Sequence, residues 1–321
     1  MAVVVISGGT GLIGTKLTRH LTALNHDVII LSRHAQKSPE NSKITYSKWD
    51  IKEQIIDASV IKKADHIVHL AGAGVMDKRW TDEYKKEIVT SRTKSAELLV
   101  KGLRENENKV TSFVSASAIG WYGKDPDPLN HKDGFSETDP ADKSFLGETC
   151  VLWENSVDAV AALGIKLVKL RTGIVLDNDG GAYKEFKMPL KFGVAGILGD
   201  GKQIVSWIHI DDLCRMYIEA MENNEVNGTY NAVAPVPVTN KKLILQTAEK
   251  IRHRFFIPVH VPAFFLKLFL GKKSVEILKS ATVSDKKIKS TGFTFLYPTI
   301  ESAIGELTAA KPQATPKDLL S

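Results

Sequence analysis

The sequence predicts an α/β fold, a doubly wound parallel sheet with a smaller mixed α/β C-terminal lobe. Three observations carry this. Short apolar runs alternate with amphipathic stretches over the first half of the chain, a glycine cluster joins the first run to the first helix, and the alternation breaks after Arg171. In order, residues 3–7, 28–31, 66–71, 112–115 and 166–170 read as strands. Their apolar character is continuous rather than alternating, which is the pattern of parallel strands covered on both faces. Residues 13–24, 80–103 and 146–163 read as the covering helices. A turn cluster at residues 177–181 then opens a mixed region running through Gly201. Residues 207–212, a helix to about Glu222 and a strand at 229–233 follow, and from Lys241 the chain is helical and irregular.

The glycine cluster gives the first unit its chemistry. Gly8, Gly9, Thr10, Gly11, Leu12, Ile13 and Gly14 follow the first strand directly and open a helix. Gly9, Gly11 and Gly14 satisfy the spacing GxGxxG. One glycine makes the tight turn, one admits a pyrophosphate to the backbone, and one lets helix pack on strand. Free N–H groups at the helix start then face the phosphates. This is a Rossmann-type dinucleotide site. The second strand ends in Ser32-Arg33-His34, about 20 residues beyond the last glycine, where a site for NAD carries an acid. Arg33 instead offers a guanidinium suited to a 2′-phosphate and Ser32 a second hydrogen bond, so the expected cofactor is NADP(H).

Length and composition bound the rest. A chain of 321 residues fits two domains at about 150 each. We expect residues 1–174 to form the NADP(H)-binding domain, with 205–235 returning to it. Residues 175–204 and 236–308 are then a small substrate lobe, and 309–321 a tail holding Pro312 and Pro316. At 43% hydrophobic and 25% charged, the chain is neither disordered nor fibrous. Cys150 and Cys214 cannot build a disulfide framework, and no Cys/His spacing calls for a metal. The N-terminus lacks a basic segment and a cleavage site, so a cytoplasmic protein is expected. Net charge is +6, yet residues 241–289 carry 12 Lys/Arg against three acids. These cations read as solvated helix faces, since no nucleic-acid motif accompanies them. Residues 261–270, interrupted by Lys267, are too short to span a bilayer and read as the core helix of the small lobe. A membrane surface or a homodimer partner is the alternative use of that run.

With these residues in hand, the chain resembles the extended short-chain dehydrogenase/reductase superfamily, within it the "epimerase family protein" branch, over about residues 2–308. The carriers are the glycine loop, Leu31-Ser32-Arg33, Leu70-Ala71-Gly72, Lys78-Arg79-Trp80, Ser91-Arg92 and the run from Ser115 to Tyr122-Gly123. Further on come Arg171-Thr172-Gly173, Trp207 to Asp212, and Tyr230-Asn231. The resemblance implies that Leu70, Ala71 and Gly72 line the adenosine ribose and diphosphate, and that Asp50, after Trp49, sits beside adenine. It also implies that Arg92 reaches toward the cofactor, that Ser115 stands near it, and that Thr172 and Gly173 meet the nicotinamide end by backbone.

Members of that superfamily transfer a proton with a serine and a YxxxK pair on one helix, whose spacing of four puts both side chains on one face. The lysine and the cofactor ring lower the tyrosine pKa. Ser117 is the candidate serine, with Ser115 as the alternative. Where YxxxK belongs, the chain offers Phe145 and Thr149, or Leu146 and Cys150. Tyr183 and Lys187 have the spacing but fall after the sixth strand, and read as coincidence. Tyr122 is the nearest phenol and the candidate proton donor, with Glu148 and Lys143 behind it. His209 and Asp211 line a substrate pocket or pack the two lobes together. Two functions follow: an NADP(H)-dependent oxidoreductase or epimerase-like enzyme for a small carbonyl, alcohol or sugar nucleotide, or a cofactor-binding sensor that has lost catalysis. Neither requires nucleic acid or membrane insertion.

Overall fold

In a computed structural model of the chain, residues 1–34, 38, 42–126 and 133–309 are described. The first half runs β1 (Val3–Ser7), α1 (Leu12–Ala23), β2 (Asp27–Ser32), β3 (Ile44–Asp50), β4 (Ile55–Ile56), α2 (Ala58–Lys63), β5 (His66–His69), α3 (Asp82–Glu105), β6 (Ser112–Ala118), α4 (Phe145–Asn155) and β7 (Lys166–Thr172). There follow β8 (Ile174–Leu176), α5 (Gly181–Lys187), β9 (Val194–Leu198), β10 (Ile204–Val205), β11 (Trp207–His209), α6 (Ile210–Glu222) and β12 (Gly228–Ala232). The last part comprises β13 (Val238–Thr239), α7 (Asn240–Arg252), β14 (Ile257–Val261), α8 (Ala263–Leu270), α9 (Ser274–Leu278), α10 (Lys286–Ser290) and α11 (Ile300–Thr308).

Eight strands make the central sheet in the order β12-β7-β6-β5-β1-β2-β3-β4. Every pair is parallel except the hairpin of β3 with β4. The order reverses at β1, which lies between β2 and β5, so the topological switch point, where open α/β sheets bind ligands, lies beyond Ser7 and His69. Side-chain alternation divides β1 between two cores. Val4 and Ile6 join Leu17, Leu21 and Met216 under α1 and α6, while Val5 joins Ile61, Leu99 and Phe113 under α2 and α3. Each fully buried aliphatic side chain contributes roughly 2 kcal/mol. β12 returns to the sheet edge beside β7, in register from Gly228 on Val168 to Ala232 on Thr172.

Outside the sheet, β9 pairs only with β14, and α7 covers β9 through Ile244 and Ala248. A third core gathers Tyr183, Trp207, Leu243 and Ile304. Tyr183 is thus a packing residue, and its spacing to Lys187 carries no chemistry. Two readings from sequence need correction. The helix expected over 146–163 ends at Asn155 and continues as a 3-10 stretch, Asp158–Leu163, stopped by Gly164 at φ +76°. The run expected to be a core helix, α8, buries Leu266 alone. The elements it packs against, α9 and the short turn at Gly271–Lys273, are too small to cover its other faces. Of the expected tail, residues 310–321 lie outside the described residues, and Ala309 caps α11.

Candidate active site

The glycine loop is built so that no side chain fits it. Gly8 holds φ +74°, and a Cβ on it would stand 2.8 Å from the Leu70 carbonyl. A Cβ on Gly14 would lie 2.4 Å from the Gly8 oxygen, and one on Gly9 2.8 Å from the Ile30 side chain. The loop is closed by Gly11 N donating to Gly8 O at 3.0 Å. Gly11 then serves as the N-cap of α1 with no side-chain cap, and no acid stands in the first turn. The first N–H groups of α1 are left for an anion arriving at the switch point. Thr10 is exposed at the loop tip, Ile13 packs on the core, and Leu12 lies against Gly180 and Gly181 of the turn after β8.

The neighbouring strand ends continue this edge. Ser32 closes β2, and its hydroxyl accepts from His34 N at 3.3 Å. Arg33 is exposed and makes no ion pair among the described residues. Asp50 ends β3, with Oδ1 accepting from the backbone N–H groups of Lys52 (2.9 Å) and Glu53 (3.0 Å). Leu70 N donates to Ser7 O at 3.0 Å and carries the pairing one residue beyond β5. Arg92 reaches this edge from α3. It is buried, donates from Nη1 to the carbonyls of Ala73 (3.0 Å) and Ile88 (2.8 Å), and lies 4.9 Å over the Trp153 ring. Burial lowers its pKa. Ser91 Oγ accepts from Ala73 N at 2.9 Å, so Ser91 and Arg92 together clamp the backbone after Gly72. Gly173 differs from expectation: its N–H donates to Ala232 O at 3.0 Å and is spent inside the fold.

The proton-transfer side is organised differently. Ser117 Oγ donates to Glu154 Oε1 at 2.7 Å, in a buried pair. Arg171 grips the same carboxylate twice, Nε to Oε1 at 2.8 Å and Nη2 to Oε2 at 3.1 Å. Its Nη1 donates to the Tyr122 hydroxyl at 3.1 Å, and that hydroxyl donates to Asn231 Oδ1 at 2.6 Å. Burial opposes the Arg171 charge, but its hydrogen bonds and ion pair with Glu154 prevail and raise its pKa. Tyr122 is fully buried, stacked on Phe135 at 5.1 Å, and burial pushes its pKa up to about 12. Ser117 and Tyr122 are therefore joined through Arg171 and Glu154 in one saturated network. The Tyr122 hydroxyl, expected as the proton donor, here both donates and accepts inside the protein and has no access to solvent. Ser115 is equally enclosed, donating to Ala116 O at 3.0 Å, 3.3 Å from His69 Nδ1. Desolvation holds His69 near pKa 3, so it is neutral; Nδ1 accepts from Trp153 Nε1 at 3.4 Å, and Nε2 donates to Ser95 at 2.8 Å.

The structure places the two candidate pairs differently on α4. Leu146 and Cys150 of α4 face Gly120, where a Cβ would lie 3.3 Å from Leu146 Cβ and 3.6 Å from Cys150 Sγ. Burial pushes the Cys150 thiol up to about 11, so it carries no charge. Phe145 meets Trp80 edge-on at 5.1 Å, and Thr149 Oγ1 donates back to Phe145 O. Lys143 and Glu148 are exposed.

Of the two uses left open above for His209 and Asp211, the structure shows packing contacts, to Glu306 of α11 and His20 of α1. His209 is fully buried, with Nε2 donating to Glu306 at 3.0 Å and Nδ1 accepting from Asp211 N at 3.2 Å, its ring 4.0 Å from that of Tyr297. Asp211 Oδ1 is 3.1 Å from His20 Nε2. His20 stands two turns beyond Leu12, about 12 Å along α1 from the glycine loop. Ligand atoms of His209, Asp211 and Glu306 fall within 4.8 Å of one another, but both histidine nitrogens are already used. Sequence reasoning missed Glu154 as the partner of Arg171. A signal was present: an acid among the apolar residues of a helix and an arginine in an apolar strand demand each other when both are buried.

A Rossmann-type sheet with an open glycine cradle at its switch point defines a dinucleotide-binding protein of the dehydrogenase and epimerase class. Residues 4–171 match the NAD dependent epimerase/dehydratase family, and 261–307 match a domain of unknown function, DUF1731; the chain belongs to that family. The "Epimerase family protein YfhF" of Bacillus subtilis is 34% identical over 307 residues, covering 95% of this chain and 98% of the relative. Among solved structures, the human epimerase family protein SDR39U1 (isoform 2) with NADPH superposes at a TM-score of 0.82 and 27% identity, covering 95% of this chain and 99% of that one. A nucleoside-diphosphate sugar epimerase from Corynebacterium glutamicum gives 0.74 at 28% identity, covering 96% of this chain and 58% of that one. Among the described residues, no helix is long and apolar enough to cross a membrane.

Proposed function

We propose that the protein is an NADP(H)-dependent oxidoreductase or epimerase-like enzyme for a small carbonyl, alcohol or sugar-nucleotide substrate. The carrying observation is the pairing of a side-chain-free cradle at Gly8, Gly9 and Gly14 with an exposed Arg33 at the end of β2. The cradle receives the pyrophosphate on the N–H groups of α1, and Arg33 and Ser32 hold the 2′-phosphate. The second oxygen of Asp50 accepts from the adenine amine, and the backbone of Leu70, Ala71 and Gly72 follows the ribose and diphosphate. Ser91 and Arg92 fix that backbone, and Thr172 stands at the nicotinamide end. When bound, the cofactor supplies a hydride donor or acceptor. The human relative solved with NADPH supports the choice of cofactor, and the Corynebacterium relative supports the sugar-nucleotide class. Leu146 and Cys150 exchange no proton, so the proton comes from water or from an exposed group such as Glu148 or Lys143. On this reading residues 1–174 with 205–235 bind the cofactor, and 175–204 with 236–308 bind the substrate.

A second reading has one observation in its favour. The hydroxyls of Ser117 and Tyr122 are both spent in a buried network, as in a protein that binds NADP(H) without turning it over. Incubation with NADPH deuterated at the transferable C4 position and a small-molecule cell extract separates the two. An enzyme deposits label in a defined metabolite. Absence of protein-dependent label, with NADPH binding verified in the same sample, favours the sensor or binding protein.

A further inference from the structure

The exposed apolar face of the C-terminal region has an unusual electrostatic frame. In α8, Phe264 is 61% exposed, Phe265 43%, Leu268 68% and Phe269 79%. Phe264 with Leu268, and Phe265 with Phe269, are each four residues apart, so the four side chains share one side of the helix. Leu266 is the residue that α8 turns inward. The strand before it is also uncovered: Ile257 is 68% exposed in β14, and Phe255, just ahead, 84%. Exposed apolar groups are ordinary when scattered, but a run of this kind on consecutive elements marks a surface that meets another phase or molecule.

The charge around this face selects among partners. Residues 251–275 contain five Lys/Arg, two His and no acid. Arg254, Lys267 and Lys272 are exposed, and Lys267 sits within the aromatic helix itself. A second copy of the chain is a poor occupant, because a two-fold interface brings the same patch onto itself and sets these cations against their own copies. An anionic lipid surface satisfies both features: aromatic and leucine side chains enter the headgroup boundary, and lysine stems lie along it with their ammonium groups toward the phosphates. The segment after α8 is tied to the loop before α3. Lys273 Nζ donates to Met76 O at 3.1 Å, and Gly271 lies beside Arg79, both in the loop that leads from Gly72 into α3.

We propose that α8 and the segment before it dock the protein peripherally on an anionic lipid surface, without spanning it. The proposal is independent of the cofactor reading. The test is co-sedimentation of the whole protein with vesicles of phosphatidylcholine and phosphatidylglycerol in equal parts, beside vesicles of phosphatidylcholine alone. Binding is expected to the anionic vesicles, weaker to the neutral ones, and lost as salt is raised. Phe269→Glu and the pair Lys267→Glu/Lys272→Glu should each weaken it at least about tenfold. All three positions are exposed, so the thermal midpoint should hold; should Phe269→Glu misfold, the lysine pair still decides. No binding to anionic vesicles at low salt overturns the proposal, and so does wild-type binding by the lysine pair. A wild-type protein that is dimeric in solution, ignores vesicles and becomes monomeric in Phe269→Glu assigns the face to a second copy and overturns it too.

Discussion

The two ends of the candidate site are built on opposite principles. At the phosphate end, the loop from Gly8 to Gly14 excludes side chains and leaves helix N–H groups without an internal partner. At the end where proton transfer is expected, Ser117, Tyr122, Glu154, Arg171 and Asn231 satisfy one another inside the protein. Unsatisfied donors at the surface prepare a site for a ligand, whereas saturated buried groups specify a structure. The difference teaches that a serine and a tyrosine near a cofactor site are not thereby free to meet a substrate. Their role follows from what their oxygens already touch.

The sharpest way to break this comparison is to remove the hub of the closed end. Glu154→Ala leaves the Arg171 guanidinium buried without its carboxylate and Ser117 without its acceptor. Loss of one partner from a buried pair costs about 3–5 kcal/mol. The expected result is a large drop in the unfolding midpoint in denaturant, with Glu154→Gln intermediate. A midpoint that barely moves would show that the network is not the structural element described here.

The open end predicts a ligand-specific effect and little change in stability. Arg33 is exposed and unpaired among the described residues, so Arg33→Ala removes nothing the fold depends on. It should weaken NADPH by about 2 kcal/mol, the worth of a charge-assisted hydrogen bond, and leave NADH nearly unchanged. Titration with both cofactors measures this. Equal losses for the two would remove Arg33 from the 2′-phosphate and return the cofactor preference to question.

How much of this was legible before the structure follows from the range of the interactions. The glycine loop is local: strand, turn and helix start are consecutive, and each glycine's reason lies within about a turn or in the adjoining strand. The parallel sheet was legible because runs such as Val3 to Ile6 are apolar on both faces. The closed network as a whole was not, because it joins residues far apart in sequence, as Tyr122 to Asn231, although the Glu154–Arg171 pair within it left a signal. For His209 the sequence left two uses open for the same reason, since its partner Glu306 comes from α11. The helix α8 failed differently. Its composition is that of a core helix, but burial needs a neighbour, and the short α9 and the turn before it supply too little surface.

The finest test concerns Tyr122, where the two principles meet. A proton donor and a structural phenol make opposite demands of the substitution Tyr122→Phe. If the hydroxyl worked in catalysis, turnover would vanish while stability changed little. The geometry requires the reverse. The hydroxyl donates to Asn231 Oδ1 at 2.6 Å and accepts from Arg171 Nη1, so its loss strands a buried amide oxygen. Arg171 Nη1 keeps the Glu137 carbonyl at 3.2 Å, which limits the damage to about 1 kcal/mol. The expected variant is slightly less stable, binds NADPH as before, and retains whatever turnover the wild-type protein shows with its labelled metabolite. Abolished turnover in a variant of unchanged stability would reopen the closed end of the site as a catalytic centre.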